Sequence, residues 1–292
     1  KEFGSRKEST CSLALAGVER HQSNMKLGSI LYLPPTKSYA HANAILENLD
    51  RFPAHYPVLV FSEHDYGHPG QILLKLSPEV ARKTDGVANQ GQLDFRVANT
   101  VFITGMQLAR SAGFSHIIYL ENDCRVGRAG WDEIMFNEYF QLGRPTIAAG
   151  SLAFYNPANA GPVALRRWQE VVAQNTRRNF PSPTYGWVAA AVKHPSCVFP
   201  NGALSIYDMA WMQRLFALEN AVGEGVNMGP FDMVIGEKIW DKFAEDSYDV
   251  VGSLRSIFSG YGEVVTTEAE RLAWLRTGEI VAIHQVKSAD QP

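Results

Sequence analysis

The chain has 292 residues, of which 46% are hydrophobic and 20% are charged, values that are typical of a globular enzyme and exclude a wholly disordered chain. Lys and Arg number 27 against 30 Asp and Glu, so the net charge is −3, which argues against a broadly basic nucleic-acid-binding protein. The three cysteines, Cys11, Cys124 and Cys197, are too scattered for a disulfide scaffold or a zinc site built on CxxC pairs. No apolar run reaches the roughly 18 residues that a membrane span needs.

The first half of the chain alternates strand and helix patterns. Short apolar runs predict strands over 29–33 and 57–61, and apolar residues at helical spacing predict a helix over 40–49 between them. This order predicts parallel strands joined by a right-handed crossover. Residues 69–95 are less regular and are interpreted as a surface excursion.

A second helix and a buried strand follow. The helix is predicted over 97–112, and Gly113 stands where a C-terminal cap is expected. The nearly continuous apolar run 116–120 is typical of a central parallel strand that is buried on both faces.

The second half continues this pattern with shorter elements. Helices are predicted over 131–141, 163–174 and 209–220, and strands over 146–149, 201–207 and 279–284. No internal repeat and no linker-like change of composition interrupts the chain. The sequence therefore predicts an α/β fold with a central, mostly parallel sheet flanked by helices.

Two carboxylates follow the predicted buried strand, in the tripeptide Glu121-Asn122-Asp123. Ligands of open α/β sheets bind at the carboxyl ends of the strands. If extended geometry continues through the tripeptide, Glu121 and Asp123 point the same way, because strand side chains alternate. Such a pair suits Mg²⁺ or Mn²⁺ bridging a diphosphate. The tripeptide alone is equally compatible with a solvated acidic turn.

Three further segments carry candidate residues. Gly202, at the start of a predicted strand, permits close backbone approach to a ligand, or simply a tight turn. Asp232 precedes Gly236, and a lone Asp in this setting is commonly a helix cap. His284 ends the last predicted strand, where a lone His is usually structural.

The order and spacing of these segments, over about 29–288, resemble the GT-A family of nucleotide-sugar-dependent glycosyltransferases. Glu121-Asn122-Asp123 looks like the acidic metal motif of the family, commonly Asp-x-Asp, with Glu at its first position. Asn201-Gly202-Ala203-Leu204 is similar to the segment under the donor sugar and acceptor. Phe231-Asp232 with Gly236 resembles the motif that holds the catalytic base, with Phe231 where an acid is common. His284 resembles the late metal-binding histidine.

The resemblance implies a Rossmann-like GT-A fold and a metal-dependent hexosyltransferase. A sugar would move from a nucleotide-sugar donor, with UDP the expected nucleotide, to an acceptor hydroxyl on a glycan, lipid, protein or nucleic acid. Asp232 is the implied general base of an inverting transfer, and Asp123, His284 and Glu121 are the implied ligands of Mn²⁺ or Mg²⁺. Donor contacts are expected from Ser62, Glu63, Asp65, Arg96, Asn99, Asn122 and Lys287. Contacts with the sugar or acceptor are expected from Asn201, Gly202, Ala203 and Trp187.

Domain limits and location follow from the same hypothesis. Residues 1–28 are predicted to be a tag remnant and N-terminal extension, and 29–292 a single GT-A-like domain. Its nucleotide-binding half would cover about 29–126 and its acceptor half about 127–292. The cytoplasm is favoured by the odd cysteine count, while a targeting segment could have preceded Lys1.

Two alternatives remain open on the sequence. The first is a nucleotidyltransferase of related fold, although residues 33–37 lack the glycine expected of a triphosphate-binding loop. The second is a catalytically inactive module that binds a nucleotide sugar without turnover.

Overall fold

The computed structural model describes residues 25–33, 39–62, 64–73, 95–145, 147–150, 152–154, 198–200, 204–216, 250–251, 254–258, 267–284 and 286. Its elements, in chain order, are β1 Leu27–Leu33, α1 Tyr39–Arg51, β2 Val58–Ser62, β3 Ile72–Leu73, α2 Phe95–Ser111, β4 His116–Leu120, β5 Arg125–Val126, α3 Trp131–Gln141, β6 Ile147–Ala149, β7 Leu152–Phe154, β8 Val198–Pro200, β9 Leu204–Asp208, α4 Met209–Phe216, β10 Val250–Val251, β11 Ile257–Phe258, α5 Glu268–Thr277 and β12 Ala282–Ile283.

The main sheet has seven strands in the order β10-β6-β9-β4-β1-β2-β3. β1 pairs in parallel with β2 on one side and with β4 on the other, so the strand order reverses between β1 and β4. β9 runs antiparallel to both β4 and β6. The predicted α/β class with a mostly parallel central sheet is confirmed, and the antiparallel β9 is a feature that the sequence analysis did not predict.

Helices cover both faces of this sheet. On one face α2 packs closely, because Gly105 brings its backbone against Phe61 and Ile30, and α4 lies beside α2. On the other face α1 and α3 share a continuous buried core with β1, β4 and β9. The sheet is thus the middle of three layers, and ligands can reach its strands at their ends.

Most predicted elements of the first half are found with small changes at their ends. The predictions 116–120 and 131–141 match β4 and α3. α2 ends as predicted, since Gly113 has φ 78° and its N–H donates to the Arg110 carbonyl at 2.8 Å. The predicted helix over 163–174 lies outside the described residues.

A second, three-stranded sheet was not predicted and bears directly on the site. Its order is β11-β12-β5, with β12 parallel to β11 and antiparallel to β5. The buried Asn48 side chain of α1 holds β5 from its other side, donating to the Val126 carbonyl at 2.9 Å and accepting from the Val126 N–H at 2.7 Å. The strand predicted over 279–284 is shorter than expected, covering Ala282–Ile283.

Within the described segments, no helix is both long enough and apolar enough to cross a membrane.

Candidate metal centre

The acidic tripeptide after β4 forms a tight turn. The Cys124 N–H donates to the Glu121 carbonyl at 3.0 Å, so the chain reverses at Asn122 and Asp123. The expectation that extended geometry continues through the tripeptide is therefore wrong. The two acidic side chains nevertheless converge, because the turn and not strand alternation brings them together.

Backbone pairing brings His284 to this turn. β12 pairs with β5, with Ile283 opposite Arg125, so the residue after β12 lies beside the residue before β5. The Val286 N–H donates to the Asp123 carbonyl at 2.9 Å, and the His284 N–H donates to the Phe258 carbonyl at 2.8 Å. These two bonds hold the backbone of residues 284–286 beside the acidic turn, although Asp123 and His284 are 161 positions apart in the sequence (284 − 123).

The three predicted metal ligands form one cluster. His284 Nε2 lies 3.0 Å from Asp123 Oδ1 and 3.6 Å from Glu121 Oε2. One ligand atom from each residue lies within 4.8 Å of the other two. Asp123 and His284 are only 4% and 1% exposed, whereas Glu121 is half-buried.

The donor set fits a hard divalent cation. Metal–ligand bonds of roughly 2.1 Å in octahedral geometry place neighbouring donor atoms about 3 Å apart, close to the 3.0 Å and 3.6 Å that separate His284 Nε2 from the two carboxylates. Two carboxylates with one imidazole are donors that Mn²⁺ accepts readily. Without an ion the two carboxylates repel each other, which His284 can relieve by carrying a proton.

The electrostatics of His284 agree with this. Burial alone lowers the pKa of His284, but the charges and hydrogen bonds of Asp123 and Glu121 outweigh burial and raise it to about 9. The imidazole is therefore protonated at neutral pH while the centre holds no metal, and metal and proton compete for the same nitrogen.

Arg125 supports the acidic turn from within. Its guanidinium is fully buried and donates to the Cys124 carbonyl at 2.7 Å and to the Asn122 carbonyl at 3.2 Å. Burial raises the pKa of the neighbouring Cys124 thiol, and Asp123 and Glu121 raise it further, so this thiol stays neutral. Arg125 was not predicted as part of the site, since one arginine beside a turn carries no distinctive pattern.

The predicted donor residues after β2 lie at the same edge of the sheet. Strand register places Ser62 of β2 opposite Leu33 of β1, and Leu31 of β1 opposite Leu120 of β4. Ser62 is therefore two strand spacings, about 10 Å, from the acidic turn that follows β4. The Ser62 hydroxyl bonds within its own loop, accepting from Gln71 Nε2 at 2.9 Å and donating to the His64 carbonyl.

Asp65 has a comparable local role. It is exposed, and its Oδ1 accepts the Gly67 N–H at 2.8 Å, an Asx-type turn contact. Both Ser62 and Asp65 thus stabilise the loop that follows β2.

Two other predicted donor residues lie in the first turns of α2. This helix runs back across the sheet from its carboxyl edge, because Phe102 contacts Tyr119 while the later Gly113 lies near Lys26, just before β1. Arg96 and Asn99 therefore stand at the carboxyl edge, on the same side of the sheet as Tyr119. Asn122 lies in the acidic turn itself.

The remaining predicted site residues lie outside the described residues. They are Glu63, Trp187, Asn201, Gly202, Ala203, Asp232 and Lys287. Their assignments stay predictions.

No family model matches this chain, and a search of curated proteins also finds no match.

Proposed function

We propose that the protein is a metal-dependent glycosyltransferase of GT-A type, which moves a sugar from a nucleoside diphosphate donor, UDP in the first instance, to an acceptor hydroxyl. One observation carries the proposal: Glu121, Asp123 and His284 converge at the carboxyl edge of the parallel strands. They do so beside the reversal of strand order between β1 and β4, where open α/β sheets bind nucleotides.

The location of the other predicted residues supports a nucleotide at this edge. β2 ends with Ser62 at the carboxyl edge, and α2, whose first turns contain Arg96, begins at the same edge. A nucleoside diphosphate held by the acidic turn is long enough to reach the loop after β2. The Rossmann-like GT-A topology is part of the same proposal.

The chemistry assigned to the residues is as follows. Bound Mn²⁺ or Mg²⁺ would act as a Lewis acid on the departing diphosphate oxygen. Asp232, as the general base, would take the proton of the acceptor hydroxyl, whose oxygen bonds to the anomeric carbon as the bond from that carbon to the phosphate oxygen breaks. General-base assistance of this kind is typically worth about 10²–10⁴-fold in rate. Transfer would invert the anomeric configuration.

Thermal unfolding in the presence of candidate ligands tests the proposal. We would record it with UDP, GDP and CMP, each with and without Mn²⁺, for the wild type and Asp123→Asn. A ligand at about 100 times its Kd adds about 2.7 kcal/mol, a shift of several degrees. We expect one nucleoside diphosphate to shift the wild type only with Mn²⁺, and the variant not to respond.

The product separates the proposed activity from its rivals. Glycosyl transfer releases a nucleoside diphosphate, and nucleotidyl transfer releases pyrophosphate. Metal-dependent binding with no turnover of any nucleotide sugar would favour an inactive binding module instead. Absence of any ligand shift in the folded wild type would contradict the proposal.

A further inference from the structure

The acidic turn between β4 and β5 is held through all four of its carbonyl groups. The Glu121 carbonyl accepts the Cys124 N–H at 3.0 Å, and the Asp123 carbonyl accepts a backbone N–H of the segment after β12 at 2.9 Å. The carbonyls of Asn122 and Cys124 both accept from Arg125 Nη1, at 3.2 Å and 2.7 Å. One guanidinium nitrogen thus serves two of the four carbonyls, and a buried carbonyl left without a donor is costly.

The two Arg125 contacts lie on either side of the proposed metal ligand Asp123. The Asn122 carbonyl is in the peptide group before Asp123, and the Cys124 carbonyl belongs to the next residue. The Asp123 carboxylate is buried, and its Oδ1 lies 3.0 Å from His284 Nε2. A movement of this backbone would therefore carry the carboxylate away from the imidazole.

The backbone of Arg125 holds the other half of the centre. Arg125 begins β5 and pairs with Ile283 of β12, directly before His284. Its side chain bends back to the acidic turn and is fully buried. One residue thus connects the strand before the histidine to the turn that carries the carboxylates. Hydrogen bonds from a charged donor are stronger than neutral ones, which suits such a connection.

The positive charge of Arg125 acts against a cation in the same centre. Like charges repel more strongly in a buried site than in water. If this charge were the whole contribution of Arg125, as an offset to Glu121 and Asp123, then removing it would make Mn²⁺ bind more tightly. If Arg125 holds the turn in its binding geometry, then removing it would make Mn²⁺ bind less tightly. The sign of the change in Kd therefore distinguishes the two roles.

We propose that Arg125 is a positioning residue of the metal centre, whose guanidinium holds the backbone around Asp123 so that Asp123 and His284 bind one metal ion. The inference rests on the metal centre of the proposed function. It adds to that centre a residue that acts through the turn and not as a ligand.

Calorimetric titration with Mn²⁺ tests this role in the wild type, Arg125→Met and Arg125→Lys, and in two control variants. Arg128→Met removes an exposed positive charge three residues further along the chain. Tyr139→Phe removes a buried hydrogen bond to a carbonyl, the 2.6 Å bond from the Tyr139 hydroxyl to Pro145, near the amino end of β4. Urea unfolding shows whether each variant is folded under the conditions of the titration.

We expect Arg125→Met to raise the Kd for Mn²⁺ about tenfold or more, as substitutions of outer partners of metal ligands do. Arg125→Lys should raise the Kd by less, because the ammonium keeps the charge and can donate to a carbonyl but lacks the planar fork. Arg128→Met and Tyr139→Phe should stay within about twofold of the wild-type Kd, although Tyr139→Phe loses stability.

A Kd in folded Arg125→Met that equals the wild-type value or lies below it would overturn the inference and leave the proposed function standing. If Arg125→Met does not fold, Arg125→Lys decides, and a wild-type Kd in that variant would overturn the inference. A wild type that binds no Mn²⁺ would overturn both the inference and the proposed function.

Discussion

Strand β4 has a histidine–aspartate pair near each of its ends, and the two pairs behave in opposite ways. At the amino end His116 Nε2 lies 3.9 Å from Asp208, whose Oδ1 accepts the N–H groups of Ala210 and Trp211 and so caps α4. At the carboxyl end His284 lies 3.0 Å from Asp123 and has Glu121 as a second carboxylate.

The pKa values reflect this difference. Burial lowers the pKa of His116, and the opposing charge of Asp208 does not compensate. The two carboxylates around His284 more than compensate its burial and raise its pKa to about 9. One carboxylate that also caps a helix does not offset the burial of His116, whereas two carboxylates around His284 do, and these three residues could hold a metal ion.

Replacing one aspartate at each end of β4 tests this difference between the two pairs, and we expect it to give the largest effect. Asp123→Asn should raise the Kd for Mn²⁺ at least about 100-fold, since even outer partners of metal ligands cost about 10–100-fold. Asp208→Asn is the matched control and should leave the Kd unchanged, because Asn is also a good helix N-cap. Isothermal titration calorimetry measures both. Equal loss in the two variants would contradict the assignment of the metal centre.

The pH dependence of stability should follow from His284 in the metal-free protein. Because its folded pKa of about 9 exceeds the ordinary 6.5, the folded state binds the extra proton between these values. Below pH 6.5 the ion pair of His284 with the two carboxylates adds about 3 kcal/mol to the free energy of unfolding. This contribution is lost as the pH rises through 9. Urea unfolding in EDTA should show the wild type losing this amount relative to His284→Gln between pH 6 and 9.5. If the difference in unfolding free energy between the wild type and His284→Gln stays constant over this pH range, the prediction is wrong.

A change that disturbs the three-stranded sheet should affect only the histidine–aspartate pair at the carboxyl end of β4. A Cβ at Gly127 would lie 2.9 Å from Leu275 Cβ and 3.0 Å from the Leu275 carbonyl oxygen, so α5 must move in Gly127→Ala. We expect about 1–3 kcal/mol of destabilisation. Mn²⁺ affinity should fall while the titration of His116, followed by NMR, stays as in the wild type. An unchanged Mn²⁺ affinity would show that the packing of α5 on the small sheet does not position His284.

The smallest expected effect concerns His116 and has the reverse sign. Its folded pKa lies below its unfolded value, so the unfolded state binds more protons and stability falls as pH drops below about 6.5. His116→Phe should reduce this acid sensitivity in urea unfolding. If stability falls equally steeply at low pH in the wild type and in His116→Phe, the acid sensitivity belongs to other groups.

The sequence predicts the main strands and helices because their signals are local. The apolar run 116–120 and the helix 131–141 are complete in themselves, with hydrophobic pattern and length in agreement. The antiparallel direction of β9 is a property of pairing, which short apolar strands do not encode. β5, β11 and β12 have two residues each, too few for a periodic pattern.

The sequence singled out the three residues that lie together, but not the backbone features that bring them together. Order and residue type led to Glu121, Asp123 and His284, whereas the turn and the pairing of β12 with β5 that join them are long-range features. Helix α5 does have a local signal, the capping box of Thr267 and Glu270 before an apolar run, from which it could have been predicted.

Anomalous diffraction from a crystal grown with Mn²⁺ and UDP would test the central claim most directly. The account predicts one strong manganese peak bonded to Asp123, Glu121 and His284, directly or through water, with diphosphate oxygens completing its coordination. Manganese and UDP bound elsewhere, with His284 still paired to Asp123 and no peak between them, would contradict it.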